Sequence, residues 1–388
     1  MITDTGNEIV SPVRVEPVTS RGDLQKFIDL PWKIYADDKF WVPPIKLERR
    51  LHLSSFNSYM KNAKWQAWLA YRNNTPVGRI SAQIDTVHQK FYGDHSGHFG
   101  FIDAENDPEV FKKLFDSVEV WLKNSGITYI TGPFNFSVNQ ECGVLVEGFD
   151  TPPSVLMPHS RQWYGPLIEG QGYRPAMDML AYWMESKVFG ENPVMGKLVK
   201  RYGKKLQIRP LKKNNFKQEL ELMRDIFNDA WSNNWGFIPF SKEEFAELGV
   251  GLKPFVPEGY IQIAEIDQKP AAFLVVLPNL NELLTELNGS LLPFGWLKIL
   301  RATRKNNIKT GRIPLMGVRK EYQNSPVGMA MAYMMCVEAR DPVVGSGIEG
   351  VEASWILDNN KGMRSMLKNL LAYEYKRYRI YEKEINPN

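Results

Sequence analysis

RIPLMGVRKEYQNSPVGMAMAYMMCV, residues 312–337, carries three elements in one reading frame. The apolar run 313–318 reads as a strand, and residues 319–325 form a short polar loop. Pro326-Val327-Gly328 then opens an almost wholly apolar helix, in which Met329, Met331, Met334 and Met335 alternate with Ala330, Ala332 and Tyr333. A helix apolar on every side must be buried. Methionine is the adaptable filler of irregular apolar spaces, channels for flexible ligands among them. Backbone N–H groups converge where such a helix begins, so the junction is a ready anion site with phosphate or pyrophosphate as its natural guest. An ordinary turn is the other reading that the segment leaves open.

Working outward, the frame recurs. At 388 residues the chain is long for one domain, and two is the better expectation. Residues 13–18 are strand-like, 23–36 have helical period, and Lys39-Phe40-Trp41-Val42-Pro43-Pro44 follows. Much later 206–211 is strand-like, 216–231 helical, and Trp235-Gly236-Phe237-Ile238-Pro239-Phe240 follows. Each half then presents a hairpin: 65–71 and 77–84 around Asn73-Asn74-Thr75-Pro76, then 260–266 and 271–277 around Asp267-Gln268-Lys269-Pro270. A helix over 107–124, with Pro108 in its first turn, and a strand over 127–131 match a helix over 328–339 and a strand over 350–357. This is a repeat of whole domains, not a solenoid period. The expectation is an α/β chain with mixed sheets, its domains spanning 11–188 and 206–384 and joined by a linker near 189–205.

Composition narrows the classes. Two cysteines, Cys142 and Cys336, are too few for a disulfide framework and read as buried free thiols, which suits a reducing cytoplasm. The first 20 residues do not read as a signal peptide, and no apolar run approaches the roughly 20 residues that span a bilayer. A formal net charge of +4 makes no case for nucleic acid. Eleven tryptophans, 16 tyrosines and 20 phenylalanines suit large cores and ligand channels. Residues 345–350 match G-x-G-x-x-G, but a strand follows where a dinucleotide site needs a helix. His88, His95 and His98 lack a cysteine or well-spaced carboxylate to complete a metal set, so no metal is expected.

Tyr322-Gln323-Asn324-Ser325-Pro326-Val327-Gly328 resembles the coenzyme A loop of the GNAT acyltransferases, Gln/Arg-x-x-Gly-x-Gly/Ala. Gln323 and Gly328 fall on its first and last positions. Pro326 replaces the middle glycine and lacks an N–H to offer phosphate. Val351-Glu352-Ala353-Ser354-Trp355-Ile356-Leu357-Asp358-Asn359-Asn360 resembles the strand and Asn-led helix start that follow this loop in the family. Asn359 or Asn360 would cap a helix running to residue 371, with the last strand over 373–381. The resemblance implies two tandem GNAT-like domains. It also implies acyl-CoA contacts at Val318, Arg319, Tyr322, Gln323, Asn324, Ser325, Val327, Gly328, Met329 and Asn360.

The first half lacks such a loop. It carries instead GPFNFSVNQECG, residues 132–143, then Pro152-Pro153 and Met157-Pro158-His159. Ser137, Asn139, Glu141 and His159 are expected at a mouth between the domains as substrate-binding or catalytic groups; the bland reading is that they satisfy their own loop. Together with Pro293-Phe294-Gly295-Trp296-Leu297, these segments resemble the bacterial tandem-GNAT group that includes the acyl-CoA-dependent ceramide synthases. That resemblance implies transfer of a fatty acyl group from coenzyme A to the amine of a sphingoid-type base.

An insertion over 279–310 holds a helix candidate with Trp296, Ile299, Leu300 and Thr303 on one side and Lys298, Arg301 and Lys305 on another. It suits an anionic membrane surface, hence a cytoplasmic protein peripheral on the inner face, or it packs on its own sheet. Amine acylation needs a neutral amine and an acid for the leaving thiolate. The tyrosine that GNAT proteins commonly use as acid falls on Leu367 here, which leaves Tyr333, Tyr373 or water. Glu141 and Glu352 are the candidate bases, Glu141 with a carboxyl raised by partial burial. Three functions remain open: a fatty acyl-CoA N-acyltransferase, a small-molecule or polyamine N-acetyltransferase, and a non-catalytic acyl-CoA or lipid-binding module.

Overall fold

A computed structural model describes residues 11–187, 193–291, 293–304 and 307–385. The first half runs β1 (Arg14–Pro17), α1 (Arg21–Ile34), α2 (Lys46–His52), β2 (Ala63–Arg72), β3 (Thr75–Asp85), α3 (Thr86–Tyr92), β4 (Ser96–Ala104), α4 (Pro108–Asn124), β5 (Tyr129–Gly132), β6 (Val144–Glu147), α5 (Tyr164–Glu169) and β7 (Arg174–Glu185). After α6 (Pro193–Tyr202) the second half runs β8 (Leu206–Pro210), α7 (Phe216–Ala230), α8 (Lys242–Leu252), β9 (Ile261–Ile266), β10 (Lys269–Pro278), α9 (Asn281–Leu287), α10 (Gly295–Arg304), β11 (Thr310–Val318), α11 (Pro326–Gly345), β12 (Gly350–Leu357), α12 (Lys361–Asn369) and β13 (Tyr373–Glu384). The segment expected as a linker therefore contains a helix, α6, whose amphipathic face packs against α11.

Local chemistry explains the repeated frame. Both hairpins turn on two residues in left-handed conformation, Asn73 and Asn74 (φ 48° and 64°) and Asp267 and Gln268 (φ 49° and 65°). This primed turn matches the twist of its strands. The four-residue connections expected from the sequence are thus shorter. Pro76 and Pro270 lie inside β3 and β10, each beside a register shift where a missing N–H is tolerated. Helices α1 and α8 begin with capping boxes, Ser20 with Asp23 and Ser241 with Glu244.

Among the described residues thirteen strands form one sheet, ordered β1-β2-β3-β4-β5-β13-β7-β12-β11-β10-β9-β8, with β6 on β13. The halves exchange their last strands. β13 closes the first half between β5 and β7, and β7 closes the second half against β12. On the second half's sheet, α11 packs on Ala272, Leu274 and Val276, while α7 and α8 pack on Phe273, Val275 and Leu277 of the opposite face. Further hydrogen bonds tie the halves: Trp32 Nε1 to Asn288 Oδ1 (2.8 Å), Ser58 Oγ to Glu247 Oε2 (2.7 Å) and Val155 N to Asn279 Oδ1 (2.8 Å).

Candidate active site

The second half contains a fork. β11 and β12 pair in parallel from Thr310/Gly350 to Ile313/Ala353 and then part. Trp355, at φ 60°, and a register break between Ala353 and Ile356 turn β12 aside. The gap is a cleft of about 640 Å³ including its open mouth, lined by residues from both faces of the sheet. Cys336 and Leu367 line it on the α11/α12 side, and Trp231, at the end of α7, lines it on the other.

Above the fork the β11–α11 loop presents the start of a helix. Ser325 caps α11 by accepting from Gly328 N (3.1 Å), and the first turn holds no acidic residue. The partial positive charge of the free N–H groups is therefore not neutralised by the helix's own first turn. Gly328 is required sterically: a Cβ there would lie 2.1 Å from Tyr322 O. Asn324 adopts φ 55° at the loop's bend. Gln323 braces the loop, donating through Nε2 to Ala230 O and Val318 O at 2.8 Å each. Arg319 donates to Pro270 O (3.0 Å) and to Asp225, and Lys320 N donates to Asp229 Oδ2 (2.8 Å). Val318 and Val327 pack against the core on the α11 side, Met329 is half exposed, and Asn360 caps α12 while lining the cleft.

At the closed end of the fork lies a buried polar cluster. Arg312 and Glu352 are register partners, both wholly buried, with Nε and Oε1 3.5 Å apart. Arg312 donates to Ser354 Oγ (2.6 Å) and Val155 O (2.9 Å), and its guanidinium lies 4.8 Å from the Trp355 ring centroid. Tyr375 donates a short bond to Glu352. Burial, with the Glu352 charge adding to it, raises the Tyr375 and Tyr378 hydroxyls. Lys376 donates to Gly148 O and Thr151 O, and burial lowers it to about 8 against the pull of Glu352. Four atoms here have no hydrogen-bond partner: Arg312 Nη2, Trp355 Nε1, Glu352 Oε1 and the Tyr378 hydroxyl. Buried polar atoms are rarely left so. Ser354 and Trp355 also line the cleft, so cluster and cleft share a wall.

The first half builds the same fork and closes it. β4 and β5 pair from Ser96/Tyr129 to His98/Thr131 and then separate. Residues 134–136 fill the gap: a Cβ on Gly100 would sit 2.0 Å from Phe134 O, and Asn135 Oδ1 accepts from Phe101 N (2.8 Å). Phe136 is wholly buried and stacks on His52 and Tyr59. Helix α4 starts with its own carboxylates, Asp107 and Glu109, both paired to Arg72.

Ser137 and Asn139 lie together in that plugging loop, Asn139 N donating to Ser137 Oγ (3.2 Å) and Asn139 Nδ2 to Ile238 O of the second half (2.9 Å). Glu141 is held by Arg49 through two bonds of 3.0 and 3.1 Å and by Asn135 Nδ2. Burial alone would raise its carboxyl, but the charge of Arg49 and the hydrogen bonds from Asn135 and Arg49 outweigh it, and the group lies below its ordinary value. The raised carboxyl expected from the sequence is therefore not found. His159 stands apart, its Nε2 2.9 Å from Asp38 Oδ2, with burial pushing its pKa down. Tyr333 packs with Met366 and Leu370, which wall the cleft, whereas Tyr373 is exposed. Sequence reasoning missed Arg312, Ser354 and Tyr375; the one visible signal was an arginine leading an apolar strand. Among the described residues no group of three or more His, Cys, Asp or Glu is disposed to hold a metal.

No family model matches the sequence. The chain is 47% identical over 371 residues to the protein YghO of Escherichia coli (strain K12), covering 96% of this chain and 95% of that one. It is 41% identical over 375 residues to a Caulobacter vibrioides protein named bacterial ceramide synthase, covering 96% and 97%. Solved structures share the fold at about 10% identity. A tandem GNAT protein from the clavulanic acid biosynthesis pathway superposes with a TM-score of 0.57 over 97% of this chain and 99% of its own. A GCN5-related N-acetyltransferase from Sphaerobacter thermophilus gives 0.54 over 97% and 96%.

Proposed function

We propose that this chain, which belongs to the family of YghO and the bacterial ceramide synthase and has the fold of tandem GNAT proteins, is an N-acyltransferase that moves a long-chain fatty acyl group from coenzyme A to the primary amine of a lipid such as a sphingoid base. The observation that carries the reading is the fork of the second half, lined from both faces of the sheet and ending on a buried cluster with unpaired polar atoms. The uncompensated start of α11, residues 325–329, suits the pyrophosphate, with the thioester arm lying along the fork past Asn360.

In this reading the acceptor arrives as an ammonium and loses a proton to Glu352, which has an oxygen without a hydrogen bond. The neutral nitrogen forms a bond to the thioester carbon. Arg312 Nη2 and Trp355 Nε1, two buried donors without acceptors, stabilise the charge that develops on the carbonyl oxygen. The C–S bond then breaks, the nitrogen sheds its second proton and the departing thiolate gains one; Tyr333 is our candidate to relay it, giving its hydroxyl proton to sulfur and recovering one from nitrogen, so that amide and free thiol are released. Ser137 and Asn139 contribute the first half's wall of the acceptor site. Glu141, already paired to Arg49, acts as a positioning residue, and His159 serves the core of the first half.

Association with the inner membrane face is part of the same reading. Phe294 and Trp296 at the start of α10 are 71% and 46% exposed, and Leu47 and Leu51 of α2 are exposed as well. Lys46 N donates to Gly289 O, tying α2 to this insertion. The side chains of Lys298, Leu300, Thr303 and Lys305 lie outside the described residues. No helix among the described residues is long and apolar enough to cross a membrane. Failure to sediment with anionic vesicles at low salt sinks the membrane part alone.

The test of the reaction is turnover, followed by mass spectrometry, with acetyl- and hexadecanoyl-CoA as donors and sphinganine and spermidine as acceptors. Amide formation from hexadecanoyl-CoA and sphinganine is expected. Tight hexadecanoyl-CoA binding with no turnover on either amine overturns it for a non-catalytic module, and preference for acetyl-CoA with spermidine overturns the lipid assignment.

A further inference from the structure

A second cavity, separate from the fork cleft, lies between α7, α8 and the sheet of the second half, about 890 Å³ including its open mouth. Leu220 and Met223 of α7, Leu248 and Leu252 of α8, and Val275 and Leu315 of the sheet form its walls. Among the described residues lining it, the polar side chains are confined to the rim: Lys213, Lys253 and Glu258, all exposed. These are already engaged, Lys213 with Glu258 at 3.5 Å and Lys253 over the Phe216 ring at 4.3 Å.

That chemistry restricts the guest. A peptide, sugar or polar metabolite would bury donors and acceptors against walls with nothing to pair them, a cost of several kcal/mol for each group in an apolar medium. An alkyl chain carries no such groups and gains from every methylene removed from water. Position agrees with chemistry. Leu315 is two residues past Ile313, the last β11 residue paired to β12, and so roughly 7 Å along the strand from the opening of the fork. The cavity lies on the α7 face, where the fork cleft emerges beside Trp231.

We propose that this cavity is the hydrocarbon subsite of the enzyme, taking the alkyl chain of a single-chain lipid substrate whose reacting end lies at the fork. The inference rests on the acyltransferase reading for the reacting end and on the cavity itself for the chain. Fatty acyl donor and long-chain amine present the same alkyl chemistry, so the experiment separates them.

The unmodified protein and the variants Leu248→Trp, which fills the cavity, and Val256→Glu, which places a carboxylate among its lining residues, are titrated calorimetrically. The probes are coenzyme A, acetyl-CoA, hexadecanoyl-CoA and hexadecylamine, each below its micellar concentration. Affinity is expected to rise about threefold to fourfold per buried methylene from acetyl- toward hexadecanoyl-CoA. Both variants should weaken one C16 probe at least thirtyfold while coenzyme A binds as before. Loss confined to hexadecanoyl-CoA assigns the cavity to the acyl chain, and loss confined to hexadecylamine assigns it to the amine. Loss of both assigns it to either tail. If a folded variant, judged by its thermal melt, binds both C16 probes as the unmodified protein does, the proposal is wrong. It is also wrong if the unmodified protein binds hexadecanoyl-CoA no tighter than acetyl-CoA and does not bind hexadecylamine. Absence of coenzyme A binding in the unmodified protein would instead overturn the acyltransferase reading, and the hexadecylamine titrations would still decide the cavity.

Discussion

The two forks of this molecule are built from corresponding pairs of parallel strands, β4/β5 and β11/β12, and only the second is open. In the first half Phe134, Asn135 and Phe136 fold back into the gap between β4 and β5 and satisfy its backbone, as Asn135 does for Phe101 N. In the second half no described segment returns, and β11 and β12 frame a cleft lined from both faces of the sheet. The helix starts differ in the same sense. Asp107 and Glu109 neutralise α4 from within, whereas the first turn of α11 has no acidic residue. A shared frame therefore does not confer a shared site. What decides is whether the loop after the fork supplies the chain's own groups or leaves room for a ligand.

The largest effect is expected at Gly328. Gly328→Glu puts a side chain where a Cβ already meets Tyr322 O and adds negative charge at the start of α11. Coenzyme A binding should become undetectable by calorimetry; unchanged affinity in a folded variant would move the anion site out of the second half. Next, Glu352→Gln keeps the shape of the cluster but removes the proposed base. Turnover should fall on the order of 10²–10⁴-fold with acyl-CoA affinity retained. Near-normal turnover would exclude Glu352.

Phe136→Ala takes the plug from the first fork. Loss of that ring from among His52, Tyr59, Trp65 and Phe101 should cost about 3–5 kcal/mol in chemical denaturation, without creating a second coenzyme A site. A doubled binding stoichiometry would mean that the plug alone separates the halves. The smallest effect concerns pH. Burial, reinforced by Arg49, lowers His52 from 6.5 to about 4. The unfolded chain therefore binds more protons between these values, and stability is lost as pH falls through this window, by about 3 kcal/mol. His52→Phe should flatten that slope; an unchanged slope would remove His52 as its source.

Much of the second fork was legible because polarity switches sharply there: apolar strand, polar loop, apolar helix, each with its own period. An asparagine cap at 359 or 360, which the structure gives to Asn360, and the order of elements in both halves followed from equally local signals. The missing parts depend on distant partners. Nothing near Glu141 announces Arg49, 92 residues earlier, whose charge holds the carboxyl low. Arg312 and Glu352 meet only because two parallel strands are in one register. Pro76 and Pro270 read as turn residues because a local reading sees their missing N–H but not the bulge beside them. The strand exchange was invisible for the same reason, since pairing partners are chosen by the whole sheet.

That exchange ties the first half to the order of synthesis. Its β5 pairs with β13, residues Tyr373–Glu384, which is made after every other described strand of the sheet. Until then β5 carries an open edge, the kind of exposed strand that invites association with other chains. The half made first is therefore the half finished last, and a nascent chain stalled between β5 and β13 would keep that edge unpaired.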